Sequence, residues 1–206
     1  MFLVVFAVLG APAWVREHLA LIPERALGRE PWQLVTSGLI HLGGMRLISS
    51  AVGIWVFATA VEQATTRSRM LVLFAAAQIV GAIATAAAGR LLAPSIILDG
   101  CTPGVFGLVA AFGVLYSRVP IHLFGLIQMR GRSMALLVLG LSYFTGLLNR
   151  EWVSLLGGAA GIAVGWALVS RVGGRMTTSW ERFRLWRLRR RYKVISGGRD
   201  TKRFIN

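Results

Sequence analysis

Apolar residues in this chain are gathered into long blocks rather than spread in amphipathic periods, and this limits the fold more than any other feature. Six blocks stand out, at roughly 1–15, 47–61, 70–88, 103–116, 133–148 and 152–170. Charged residues make up only 15% of the 206, whereas a soluble domain carries about a quarter. The pattern predicts an all-α, polytopic membrane protein with six transmembrane helices. A lipid-exposed span needs about 20 residues, and several blocks fall short of that. Short spans imply helices partly surrounded by other helices, or a locally thinned bilayer.

The first fifteen residues, MFLVVFAVLGAPAWV, have no basic residue ahead of the apolar run. They read as the first membrane helix rather than a cleaved signal peptide. Loop charges set the orientation. In the long first loop Arg16, Arg25 and Arg29 are balanced by Glu17, Glu24 and Glu30, and the loops after the third and fifth blocks are near neutral. The opposite side carries Arg67 and Arg69, then Arg118, Arg130 and Arg132, then a basic tail. The positive-inside rule therefore predicts both termini in the cytoplasm, as an even number of spans requires. A bacterial inner membrane is the expected location. The first loop also carries Trp14 and Trp32, which suit headgroup-level anchors for a segment lying in the interface.

Residues 171–206 hold twelve basic residues against Glu181 and Asp200, so +10 of the chain's net +15 lies there. The expected plan is a membrane domain over 1–170 and a basic cytoplasmic tail over 171–206. In SWERFRLWRLRRRYKV, Arg182, Arg184, Arg187, Arg189, Arg190 and Arg191 are interleaved with aromatic residues such as Trp186. The plainest reading is an interfacial helix on anionic lipid headgroups, at about 1 kcal/mol per basic residue near the surface. A docking segment for a partner's acidic surface comes second, since arginine favours bidentate contacts. Nucleic-acid binding is disfavoured, because such mixing beside a membrane helix is more often a membrane feature.

Two motifs remain. GGAAGIAVG sets Gly157, Gly161 and Gly165 at four-residue spacing, a stripe that lets helix backbones approach closely. DGCTPGVFGL (99–108) runs a polar turn into an apolar helix, and polar groups in such places often mark a working site. The same residues suit a helix start, with Thr102 as N-cap and Pro103 at the first helical position. Cys101 is the chain's one cysteine, so no disulfide forms within it. It has no neighbouring His or Lys in the sequence, and nearby Asp99 would raise its pKa. No His/Cys/Asp/Glu cluster has metal-ligand spacing, and no cofactor is expected.

PWQLVTSGLIHLGG, an apolar helix ending at Glu62, GCTPGVFGLVAAF and SLLGGAAGIAVG follow one another in an order and spacing that resembles the rhomboid intramembrane serine proteases. The resemblance spans about residues 1–195, with Trp32, Thr36 and His41 at family positions. It implies a six-helix bundle in which a serine opens the fourth helix and a histidine on the sixth serves as its base. A histidine and an asparagine on the second helix would help hold the oxyanion.

Carried over position by position, the resemblance places Thr102 at the nucleophile and Pro103 at the glycine after it. Ser154 falls at the base histidine, or Leu155 if the register slips by one. Arg46 and Ser50 fall at the oxyanion histidine and asparagine. All four chemical positions depart from the family pattern, so a catalytically degenerate member is expected. A threonine hydroxyl needs an adjacent base to act as nucleophile. Of the three histidines, His122 lies on the wrong side, and nothing in the sequence aims His18 or His41 at Thr102. Pro103 removes a backbone N–H where an oxyanion donor would be wanted.

Two functions follow as expectations. The first is a non-enzymatic protein acting by binding other integral membrane proteins, as a complex subunit or as a holder of client transmembrane helices. The alternative is an active peptidase using Thr102 with an unorthodox base. A weaker third is a path for lipid or a small molecule through the cavity left by the lost dyad. Arg46 and Asp99 could pair near its outer mouth.

Overall fold

In a computed structural model of the chain, residues 6–7, 13–41, 43–123 and 127–170 are described. The tail residues Arg182, Arg184, Trp186, Arg187, Arg189, Arg190 and Arg191 lie outside them. The described chain is mostly helical. Three short helices, α1 (Ala13–Leu19), α2 (Pro23–Ala26) and α3 (Gln33–Thr36), build the first loop. Five longer ones follow: α4 (Gly44–Ala64), α5 (Arg67–Leu92), α6 (Thr102–Leu115), α7 (Gly131–Leu148) and α8 (Trp152–Ser170).

Among the described residues, four helices (α4, α5, α7 and α8) are long and apolar enough to cross a membrane. α4 and α5, at 21 and 26 residues, outrun the apolar blocks that announce them. Flanking Gly44, Arg46, Arg67 and Arg90 continue the helix, because backbone hydrogen bonding does not stop where hydropathy falls. α6, at 14 residues, is too short to span at 1.5 Å per residue.

The six expected spans are not all found among the described residues. Most of 1–15 lies outside the described residues, but Phe6–Ala7 is extended and pairs in parallel with Ile40–His41. Hydropathy marks that block as buried without choosing between helix and strand. The connection between α6 and α7, read as a plain basic loop, contains an antiparallel hairpin of Pro120–Leu123 with Ile127–Arg130.

α6 is the axis of the core. Leu108, Val109, Ala111 and Phe112 are buried against Phe57 and Val61 of α4, Met70 and Leu73 of α5 and Ala135 of α7. Within α4, Ile54–Ala58 forms a π-turn, and the Thr59 hydroxyl donates to the Trp55 carbonyl at 2.6 Å. That bond gives the Trp55 carbonyl a side-chain donor inside the wider turn. The α8 glycines set the closest approaches in the bundle. A Cβ at Gly161 would overlap the Pro103 carbonyl, one at Gly165 the Gly107 carbonyl, and one at Gly157 the Thr85 hydroxyl. Backbone lies directly on backbone where α8 crosses α6.

Candidate functional site

The first loop is organised by Gln33, fully buried although a polar residue. Its amide oxygen accepts the Ile22 N–H at 2.9 Å, and its amide nitrogen donates to the Glu17 carbonyl and the Glu30 carboxylate. The Thr36 hydroxyl donates to the Leu19 carbonyl at 2.9 Å, and the Trp32 indole N–H to the His18 carbonyl at 3.0 Å. Three helix fragments too short to be stable alone are thereby fastened into one unit. Trp14 and Trp32 stay exposed on it.

This unit holds the DGCTPG turn. Leu21 and Leu98 exchange backbone hydrogen bonds, and the Gly100 N–H donates to the Ser37 carbonyl at 3.0 Å. Gly100 has φ +94°, a conformation that suits glycine. From the other side, the Gln78 amide oxygen accepts the Gly104 N–H at 3.1 Å, and its nitrogen points to the Gly100 carbonyl at 3.5 Å. Thr102 is not the N-cap: Cys101 occupies that place, Thr102 is the first helical residue and Pro103 the second. Pro103 fits anywhere in the first turn, where its missing N–H breaks no bond, so the helix starts one residue earlier than the cap reading expects.

Thr102 and Ser154 face a cavity of ≈ 30 Å³, also lined by Ser37, Gln78, Thr85 and Asp99. It has room for about two waters. The Ser37 hydroxyl at its wall is buried and unpartnered among the described residues. Arg46 does not point there. Its guanidinium reaches the Asp99 carboxylate at 3.4 Å, as the pairing expectation has it, and the Glu151 carboxylate at 2.5 Å. Ser50 is buried on α4.

His41 corrects the sequence reading of Cys101. It is fully buried, and its Nε2 lies 3.7 Å from the Cys101 Sγ, so the cysteine does have a histidine neighbour. The β1–β2 pairing and the loop carry His41 there, and neither is visible in local sequence. Burial pushes the Cys101 thiol up to about 11. The thiolate is the reactive form, and burial disfavours it here. Burial also lowers the His41 pKa, with the Asp99 charge raising it and Arg46 lowering it further. Burial thus opposes charge on both members of the pair.

Gln33, Gln78 and Glu151 are functional supports that the motifs did not single out. Gln78 had a signal: it is an amide in the middle of the apolar stretch Met70–Thr85 of α5, where a polar side chain must find a partner.

An α-helical membrane bundle, with a short central helix opened by a polar turn and crossed by a glycine-striped last helix, is the class these elements define. The Rhomboid domain family matches residues 28–174, and the chain belongs to that family. It is also similar to the Bacillus subtilis (strain 168) protein YdcA, whose name places it among rhomboid proteases. The two are 33% identical over 87 residues, 42% of this chain. The match spans 43% of YdcA's length.

Proposed function

We propose that this chain is a non-catalytic rhomboid-family protein that acts by binding other integral membrane proteins, as a complex subunit or as a holder of client transmembrane helices. The observation that carries the reading is the make-up of the Thr102 cavity. Among the described residues its lining offers hydroxyls, an amide and an Asp99 engaged by Arg46, and no imidazole. General-base assistance is worth about 10²–10⁴ in rate, and an oxyanion donor about 10²–10³. The Gly104 N–H, a natural oxyanion donor in the turn, is taken up by Gln78, and Pro103 has none to offer. In the same reading both termini are cytoplasmic in a bacterial inner membrane, and the basic tail meets anionic headgroups or an acidic partner surface.

Two measurements test it. A serine-reactive fluorophosphonate should label the purified chain and Thr102→Ala equally, with no cleavage of rhomboid-type substrates. Thr102-dependent labelling would instead establish the active-peptidase alternative. Extraction in mild detergent with crosslinking and mass spectrometry should recover integral membrane partners. A lone, uncrosslinked monomer would remove the support for a binding role.

A further inference from the structure

We infer that three arginines at the root of the hairpin ahead of α7, Arg118, Arg130 and Arg132, form a binding site for the headgroup phosphate of an anionic phospholipid. The strand register gathers them from both sides of the hairpin. Pro120 pairs with Arg130, and the Gly131 N–H donates to the Val119 carbonyl at 3.3 Å, which carries the ladder one residue past the strands. Arg118 then lies beside both Arg130 and Arg132, within the reach of long cross-strand neighbours. The approach is close because position 131 is glycine. A Cβ there would lie 2.5 Å from the Tyr116 carbonyl oxygen and 2.7 Å from the Tyr116 Cβ.

The face they share looks outward. Ile121, paired with Met129, packs against the bundle core, and alternation along each strand turns Pro120 and Arg130 the other way. Arg118, Arg130 and Arg132 are all exposed. Among the described residues none of the three has a carboxylate partner, and the sequence holds no Asp or Glu between Asp99 and Glu151. Like charges opposed across a ladder repel, so an anion between them relieves a cost that the fold already carries. Depth selects the anion. Arg130 and Arg132 flank Gly131, the first residue of α7, a helix long and apolar enough to span a membrane. The start of such a helix lies at headgroup level, where arginine side chains reach phosphate. Val119, 44% exposed between Arg118 and Pro120, offers apolar surface that acyl chains meet and dissolved phosphate does not. A guanidinium takes a phosphate through two parallel hydrogen bonds, so three can grip one headgroup from several sides. The inference rests on α7 crossing a membrane and is independent of the basic tail.

The test places the full chain in nanodiscs of phosphatidylcholine, with or without phosphatidylglycerol, and follows phenylglyoxal modification of each arginine by peptide mass mapping. Arginines of the tail fall in other peptides and are read separately. Arg67, exposed at the start of α5, is the reference for the general charge of the membrane surface. Phosphatidylglycerol should slow its modification by up to about 5-fold. Arg118, Arg130 and Arg132 should slow by about 10-fold or more, because each also gains charge-assisted bonds to the headgroup. Arg130→Gln should bring the protection of Arg118 and Arg132 down toward the Arg67 value and leave Arg67 unchanged. Inorganic phosphate added to phosphatidylcholine nanodiscs should protect none of the three. The site is overturned by slowing no greater than that of Arg67, by full protection of Arg118 in Arg130→Gln, or by protection from inorganic phosphate alone. Protection by poly-glutamate in phosphatidylcholine nanodiscs would equally overturn it, marking the face as a docking surface for an acidic protein. Should Arg130→Gln not insert, the comparison of the three arginines with Arg67 in the parent protein carries the same decision.

Discussion

Gly161→Leu is expected to cost about 3 kcal/mol or more, enough to leave little folded protein in detergent. The first added carbon would overlap the Pro103 carbonyl oxygen and lie 2.8 Å from its carbon and 3.0 Å from its Cα. These are backbone atoms of the first turn of α6, so no side-chain rotation relieves them. Either α8 moves out along its length or the polar turn is pushed from its place. Moving α8 out also separates Gly165 from Gly107 and Gly157 from Gly81 and Thr85, because one rigid helix carries all three glycines. Gly140→Ala is the control. It lies in the middle of α7, where an added Cβ meets nothing within 4 Å, and it should change stability by less than about 1 kcal/mol. Thermal aggregation of the detergent-solubilised protein, read by size-exclusion chromatography, separates the two. Equal midpoints for both variants would mean that α8 does not sit on α6 as described.

Gln78→Leu should destabilise by about 2–4 kcal/mol, although the substituted side chain is apolar and of similar size. The cost arises from what it leaves behind: a Gly104 N–H and a Gly100 carbonyl that lose their partner inside the bundle. Each unsatisfied buried group costs about 1–3 kcal/mol, and the longer Gly100 contact sets the lower end. Gln78→Glu keeps an acceptor for the Gly104 N–H but gives up the donor, and it introduces a charge beside Asp99. The contrast with Gln33→Leu is informative. Gln33 fastens the loop unit and not the α6 turn, so its loss should loosen the loop while leaving the α8–α6 crossing intact. A Gln78→Leu midpoint within 1 °C of the parent would show that the strap carries no load.

Hydropathy revealed α4, α5, α7 and α8, because a span long enough to cross a bilayer has to be almost wholly apolar. It did not announce the short strand Phe6–Ala7, because an apolar block does not choose between helix and strand until the partner, Ile40–His41, is known. The glycine stripe of α8 was visible as a stripe. What lies against it, the carbonyls of Pro103 and Gly107, was not, since spacing says which face is small and never which helix faces it. His41 is the clearest case. Sixty residues separate it from Cys101, and no local pattern places an imidazole beside a thiol.

What depends on residue type could be read directly from the chain: a membrane bundle, and a polar turn with Thr102 and Pro103 running into an apolar helix. Those readings needed no coordinates. Chemistry that depends on neighbours belonged to the tertiary structure. The high pKa of Cys101, the capture of the Gly104 N–H by Gln78 and the turning of Arg46 toward Asp99 and Glu151 all arise from contacts between distant segments. Burial and hydrogen bonding act over a few ångströms, and only the folded chain decides which groups lie within that reach.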